Sequence, residues 1–135
     1  MFAVLLVAAN ASSTSCWVFI SDDPLREAIQ HSDLVFIGEA VTSRKTTIRH
    51  KDSEEFIVQI DTTFVMEESL KGQVESTILI SGESGKPCQC RYDFEPGVSY
   101  LVLASRSDDS LVTKYCRFIK PADEDVVSDA RNSAG

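Results

Sequence analysis

The chain is poor in histidine: His31 and His50 are its only two, they sit in unrelated segments, and no Cys-x-x-Cys pair accompanies them. A structural zinc site draws four nitrogen or sulfur ligands from closely spaced groups. The four cysteines, Cys16, Cys88, Cys90 and Cys116, are therefore read as disulfide formers, and no cofactor or metal of the chain's own is expected. Basic residues are scarce as well. Thirteen Lys and Arg stand against 21 Asp and Glu, a formal charge of −8. With no stripe of alternating basic and aromatic residues, that balance argues against a nucleic-acid partner or an anionic membrane surface. No apolar run approaches the ~20 residues that cross a bilayer, so no membrane insertion is expected. Glycine is too sparse around Gly82 and Gly85 for a phosphate loop, and GESG at 82–85 lacks nucleophile-elbow spacing and a following helix. The acid pairs Glu54-Glu55, Glu67-Glu68 and Asp108-Asp109 fall at strand ends or turns, where solvated charge is the default. No catalytic constellation remains, and the chain is not expected to be an enzyme.

What is present begins with an apolar leader, MFAVLLVAA at 1–9, followed by small residues. It has the character of a signal-peptide core, although no Lys or Arg precedes it. Ala9-Asn10-Ala11 offers one cleavage site, and Ser13-Thr14-Ser15, directly before Cys16, offers another. Assigning 1–15 to the signal peptide makes the protein secreted, the compartment in which disulfides persist. About 120 residues then remain, enough for one core.

After Cys16 the segment 21–30 reads as a short helix. Ser21, Asp22 or Asp23 can cap it, Pro24 suits its first turn, and Leu25, Ala28 and Ile29 share a face. His31 falls at its C-terminal end, where a partial positive charge is favourable. Strand patterns follow at 34–42, with Gly38 marking a bulge or bend, and at 55–66, where Phe56, Val58, Ile60, Phe64 and Met66 alternate with Gln59, Asp61 and Thr63. The polar stretch 44–54, which holds His50, is read as a hairpin between them. Lys71-Gly72 is a turn, and strands are expected at 76–81, 98–104 and 111–119, the last two joined through 107–110. The tail 122–135 is expected to be peripheral, helical at most over 122–130 and frayed at its end. Five strands without βαβ alternation indicate an all-β fold, a small antiparallel barrel or sandwich.

In order and spacing, SDLVFIGEAV at 32–41, the long alternating strand ending near Lys71-Gly72, Cys88, PGVSYLV at 96–102 and YCRF at 115–118 resemble the netrin-like module of the tissue inhibitors of metalloproteinases and their bacterial relatives. The match covers roughly residues 16–121. The resemblance implies a five-stranded Greek-key barrel of the oligonucleotide/oligosaccharide-binding (OB) type, with one short N-terminal helix. It also implies a monomer whose partner is an extracellular zinc metalloprotease.

In that family the mature chain begins with Cys, whose free α-amino group and carbonyl oxygen chelate the target's zinc and displace its catalytic water. Cys16 matches that position if cleavage falls before it. Trp17 matches the residue that enters the protease specificity pocket, where the family usually has a small side chain, and reads equally as a core or lid aromatic. Val18, Pro87 and Cys88 are the implied secondary contacts, together with the 44–54 hairpin. The family's N-terminal Cys-x-Cys is missing here, because Trp17-Val18-Phe19 follows Cys16, and a Cys-x-Cys stands instead at Cys88 and Cys90. The resemblance suggests Cys16–Cys88 with Cys90–Cys116; Cys16–Cys116, with Cys88 and Cys90 left over, is the alternative. A second functional class also stands, a non-inhibitory module that uses the same fold to bind another extracellular protein.

Overall fold

Residues 34–37 are apolar at every position, and a strand of that composition is stable only if both of its faces are covered. In the computed structural model, which describes residues 22–49, 56–72, 75–83 and 90–135, Leu34, Val35, Phe36 and Ile37 are all buried. They open β1 (Leu34–Arg49), which pairs antiparallel with β2 (Phe56–Lys71) and, over residues 34–39, with β4 (Ser99–Ser107). β3 (Thr77–Glu83) takes the other edge of β2; β5 (Ser110–Thr113) and the two-residue β6 (Lys120–Pro121) lie on β4. The six-stranded order is β1-β2-β3-β5-β4-β6, and the β1–β4 pairing bends the first five strands into a partly closed ring. β3 and β5 are parallel and are joined, among the described residues, through the single pair Ser81↔Val112.

The ring interior is aromatic. Phe36 meets Phe64 edge-on with centroids 5.5 Å apart, and Phe64 meets Phe94 at 4.9 Å. Phe94 meets Tyr100 at 4.9 Å, a T-shaped geometry favoured by the ring quadrupoles. Gly38 sits at a register shift between β1 and β2. A Cβ there would stand 2.8 Å from the Phe36 ring and 3.1 Å from the Val65 carbonyl oxygen, so the bend predicted at this glycine is also a close approach.

Two helices cover the other side of the buried strands. α1 (Pro24–Gln30) is capped by Asp23, whose carboxylate accepts from the Arg26 N–H at 3.1 Å, and it buries Ala28 and Ile29 as its pattern predicts. His31 is its C-cap. The Lys71 ammonium donates to the carbonyls of Ile29 (3.0 Å) and Gln30 (2.8 Å), adding to the Ser32 N–H that Ile29 already accepts and supplying a donor to Gln30 at the helix end. α2 (Glu124–Ala134) is capped by Asp123 through the Val126 N–H at 2.9 Å. Among the described residues no helix is long and apolar enough to cross a membrane.

The all-β expectation holds, with four corrections. Both flanks of the 44–54 segment are strand rather than hairpin loop, since β1 runs to Arg49 and β2 starts at Phe56; Arg44↔Asp61 and Lys45↔Ile60 continue the ladder, because alternate polar residues satisfy a two-stranded ribbon that needs no core. In consequence Phe56, assigned to the buried face, lies beyond the ring and is 63% exposed. The run 111–119 breaks, because Tyr115 adopts a left-handed conformation (φ 56°) and Cys116–Phe118 form a 3-10 turn before β6. The tail, finally, neither frays nor stands apart. α2 continues to Ala134, buries Ala130 completely, and is tied to β2 by Arg131, whose guanidinium donates to both Glu68 carboxylate oxygens (2.9 and 2.6 Å).

Replacing Phe64 by Ala removes the ring that links Phe36 to Phe94 and is expected to cost about 3–5 kcal/mol, measured by urea unfolding. The Glu68 carboxyl is held below its ordinary range, first by the hydrogen bond from Arg131 and then by its charge. A lowered native pKa contributes stability above the unfolded value of about 4.3 and loses it as pH falls through the lowered one. Arg131→Ala is therefore expected to flatten the acid-side dependence of the urea midpoint.

Candidate functional site

The chain leaves β3 at Glu83 and is described again from Cys90, and the residues on either side of that interval share a fixed base. That base is built by three converging segments. The Cys90 N–H donates to the Thr113 carbonyl at 3.3 Å, and the fully buried Thr113 hydroxyl donates back to the Cys90 carbonyl. On the facing strand, a Cβ on Gly82 would lie 2.8 Å from the Thr113 hydroxyl oxygen and 3.0 Å from the Cys90 carbonyl oxygen. Only glycine lets the three backbones meet at this distance.

A disulfide joins Cys90 to Cys116, with Cα atoms 6.1 Å apart and a sequence separation of 26. Cys116 can reach because the left-handed Tyr115 turns the chain off β5; Phe118 N–H then donates to the Tyr115 carbonyl (2.9 Å) and Ile119 N–H to the Cys116 carbonyl (3.1 Å). Beyond Cys90, Tyr92 packs on Phe94 and on Tyr100, linking the rim to the aromatic core. Burial pushes the phenol pKa of Tyr92 up, with a smaller contribution from Tyr100. Burial likewise raises that of Tyr115, helped by the charge of Asp33. Both phenols stay protonated near neutral pH and supply hydroxyls rather than charge.

Of the residues singled out from the sequence, Cys90 and Cys116 are brought together as expected. Cys16, Trp17, Val18, Pro87 and Cys88 lie outside the described residues, as do the leader 1–15 and His50. The structure adds Gly82 and Thr113 to the residues singled out from the sequence. A glycine inside a strand is the signal that marks such an approach, and β3 runs on to Glu83, two residues past the strand expected at 76–81, which brings Gly82 inside it.

A second feature lies along the same strands. Two adjoining clefts, of about 240 and 260 Å³, flank the β3–β5 seam and share Ser81 and Ser110. In the first, the Ser81 hydroxyl donates to Asp61 at 2.7 Å, and the Gln59 amide donates to the same carboxylate at 2.9 and 3.2 Å. Ser81 thus gives its proton to an acceptor already engaged by an amide, an arrangement that fixes the outer face. Nucleophilic activation would need a base able to take that proton. Among the described residues no three His, Cys, Asp or Glu side chains are grouped to hold a metal ion.

Gly82→Ala is expected to destabilise the fold by about 1–3 kcal/mol, as overpacking against backbone does. Removing the Cys90–Cys116 bond with paired serines is expected to cost about 3.5 kcal/mol, from the loop-closure entropy of a 26-residue separation. Urea titration of each variant checks both values. No family model matches the chain, and no curated protein sequence matches it.

Proposed function

We propose that the chain is a secreted domain of the OB type, related to the tissue inhibitors of metalloproteinases, that inhibits zinc endopeptidases through its N-terminal Cys16. The observation that carries this reading is the Cys90–Cys116 disulfide. With those two cysteines bonded to each other, Cys88 is the one partner left in the chain for Cys16. A Cys16–Cys88 bond would tie the mature N-terminus to a residue two positions before Cys90, and so to the Gly82, Thr113 and Cys90 base. The strand order, in which β1 pairs with both β2 and β4 while β3 meets β5 in parallel, supports the OB-type, partly open Greek-key barrel.

The chemistry follows from the ligand set. A hydrolytic zinc holds three protein ligands and keeps a position open for water. A neutral α-amine with the adjoining carbonyl oxygen forms a chelate that takes the place of that water. The amine must shed a proton, starting from a reference pKa of about 8, so inhibition tightens as pH rises toward that value. Tethering through Cys88 removes ordering cost before the target arrives. Trp17 then enters the specificity pocket, with Val18, Pro87 and Cys88 at its flanks.

A second reading, a non-inhibitory module that binds another extracellular protein, is favoured by one specific observation. Val41, Val65 and Leu79 are 45, 44 and 55% exposed on the outer side of three neighbouring strands, away from the Cys90 base.

N-terminal sequencing and intact mass of the exported protein separate the two readings. Inhibition requires a start at Cys16 with a free amine, and adding one alanine in front of Cys16 is expected to weaken inhibition of a zinc endopeptidase by roughly a hundredfold, ~2.8 kcal/mol. An unchanged inhibition constant would remove the chelation mechanism.

A further inference from the structure

We propose that the cleft between α1, α2 and the β4–β6 ladder binds a free amino acid with a small aliphatic side chain, held as a zwitterion. This goes beyond the inhibitory reading and uses none of its residues, so neither depends on the other.

Four separate parts of the chain build the cleft. β6 pairs with β4 through Leu101↔Lys120, and directly opposed residues of a ladder project from the same face. The aliphatic stem of Lys120 therefore lies beside Leu101, which is fully buried and forms the floor, while Lys120 as a whole stays exposed. Leu25 of α1, Phe118 of the 3-10 turn and Val126 of α2 supply the walls; each packs against the core yet is only partly buried. The Phe118 ring is held by the Arg117 guanidinium, 4.7 Å from its centroid. Asp129 follows Val126 by one helical turn, on the same side of α2, and is exposed. The enclosed space is about 50 Å³.

The cleft therefore carries one cation from the sheet and one anion from α2 around an apolar floor. Neither Lys120 nor Asp129 has a side-chain hydrogen bond or ion pair among the described residues, with each other or with any third group. Size and charge together select the ligand. About 50 Å³ is roughly a third of the ~150 Å³ apolar cavity that admits benzene, so the space takes an isopropyl-sized group and rejects an indole or a lipid tail. A ligand with a single charge would cover one of the two ionic groups without pairing it, which costs free energy. A zwitterion pairs both. Its carboxylate accepts from the Lys120 ammonium, its own ammonium donates to Asp129, and its side chain covers what Leu25, Phe118 and Val126 leave exposed.

The test titrates the isotope-labelled full chain with L-valine and follows the amide resonances by NMR. Saturable shifts are expected at Lys120, Val126 and Asp129. N-acetylvaline lacks the ammonium, valinamide lacks the carboxylate and tryptophan is too large, so each is expected to bind at least about tenfold more weakly than valine. Asp129→Asn is expected to weaken valine about tenfold and leave N-acetylvaline unchanged, whereas Lys120→Met weakens valine to the same extent and leaves valinamide unchanged. Both side chains are exposed and unbonded, so the urea midpoints of the two variants are expected to stay at the wild-type value. No saturable shift at tens of millimolar valine would overturn the proposal. So would valine binding that both variants leave intact, which would put the ligand elsewhere. Valinamide binding as tightly as valine would indicate a site for a peptide N-terminus, and N-acetylvaline doing so a site for a C-terminus; either result would overturn the assignment to a free amino acid.

Discussion

Over residues 35–39 the backbone of β1 pairs on both edges at once, with β2 on one side and β4 on the other. That double pairing is the constraint from which the remaining architecture follows. It brings residue 34 opposite residue 104, closes the sheet on itself, and buries Leu34 to Ile37 together with Leu101 to Ala104 opposite them. One face then holds the Phe36, Phe64 and Phe94 stack, while the other needs α1 and α2 as cover. Arg131 on Glu68 and Lys71 on the end of α1 hold that cover in place with charge-assisted hydrogen bonds.

Closure is unequal around the ring. The β1–β4 side is continuous, whereas the β3–β5 side rests on one residue pair. At the Glu83 end of that seam the structure is reinforced by the Thr113–Cys90 hydrogen bonds, the absence of a Cβ at Gly82, and the Cys90–Cys116 bond. The same seam is thus tied at its Glu83 end by hydrogen bonds and a disulfide, and along the rest of its described length by the side-by-side packing of β3 and β5.

Much of this was legible from the chain. A cap from among Ser21, Asp22 and Asp23, the buried face of α1, the bend at Gly38 and the turn at Lys71-Gly72 each follow from local chemistry, and the structure has all four, with Asp23 as the cap. Phe56 was misjudged because alternation reports which face a residue takes and says nothing of where the ring ends along the strand. The helix over 124–134 was undervalued because its pattern is mostly polar, and its docking depends on Ala130 and on Arg131 meeting a glutamate 63 residues away. Tyr115 gave no warning, since a left-handed tyrosine is a cost that only the surrounding contacts can impose.

By itself the sequence determined the class of structure and the kind of thiol chemistry: strand-period alternation, a single early helix and four cysteines without metal-ligand spacing. Periodicity and composition are local quantities, so they carry that information without any partner. Only the tertiary structure decided which edges meet, that Cys90 pairs with Cys116, and that Gly82 is a point of contact. Each of these depends on residues far apart in the chain arriving within a few ångströms of one another, which is set by ring closure and by no property of the segments alone.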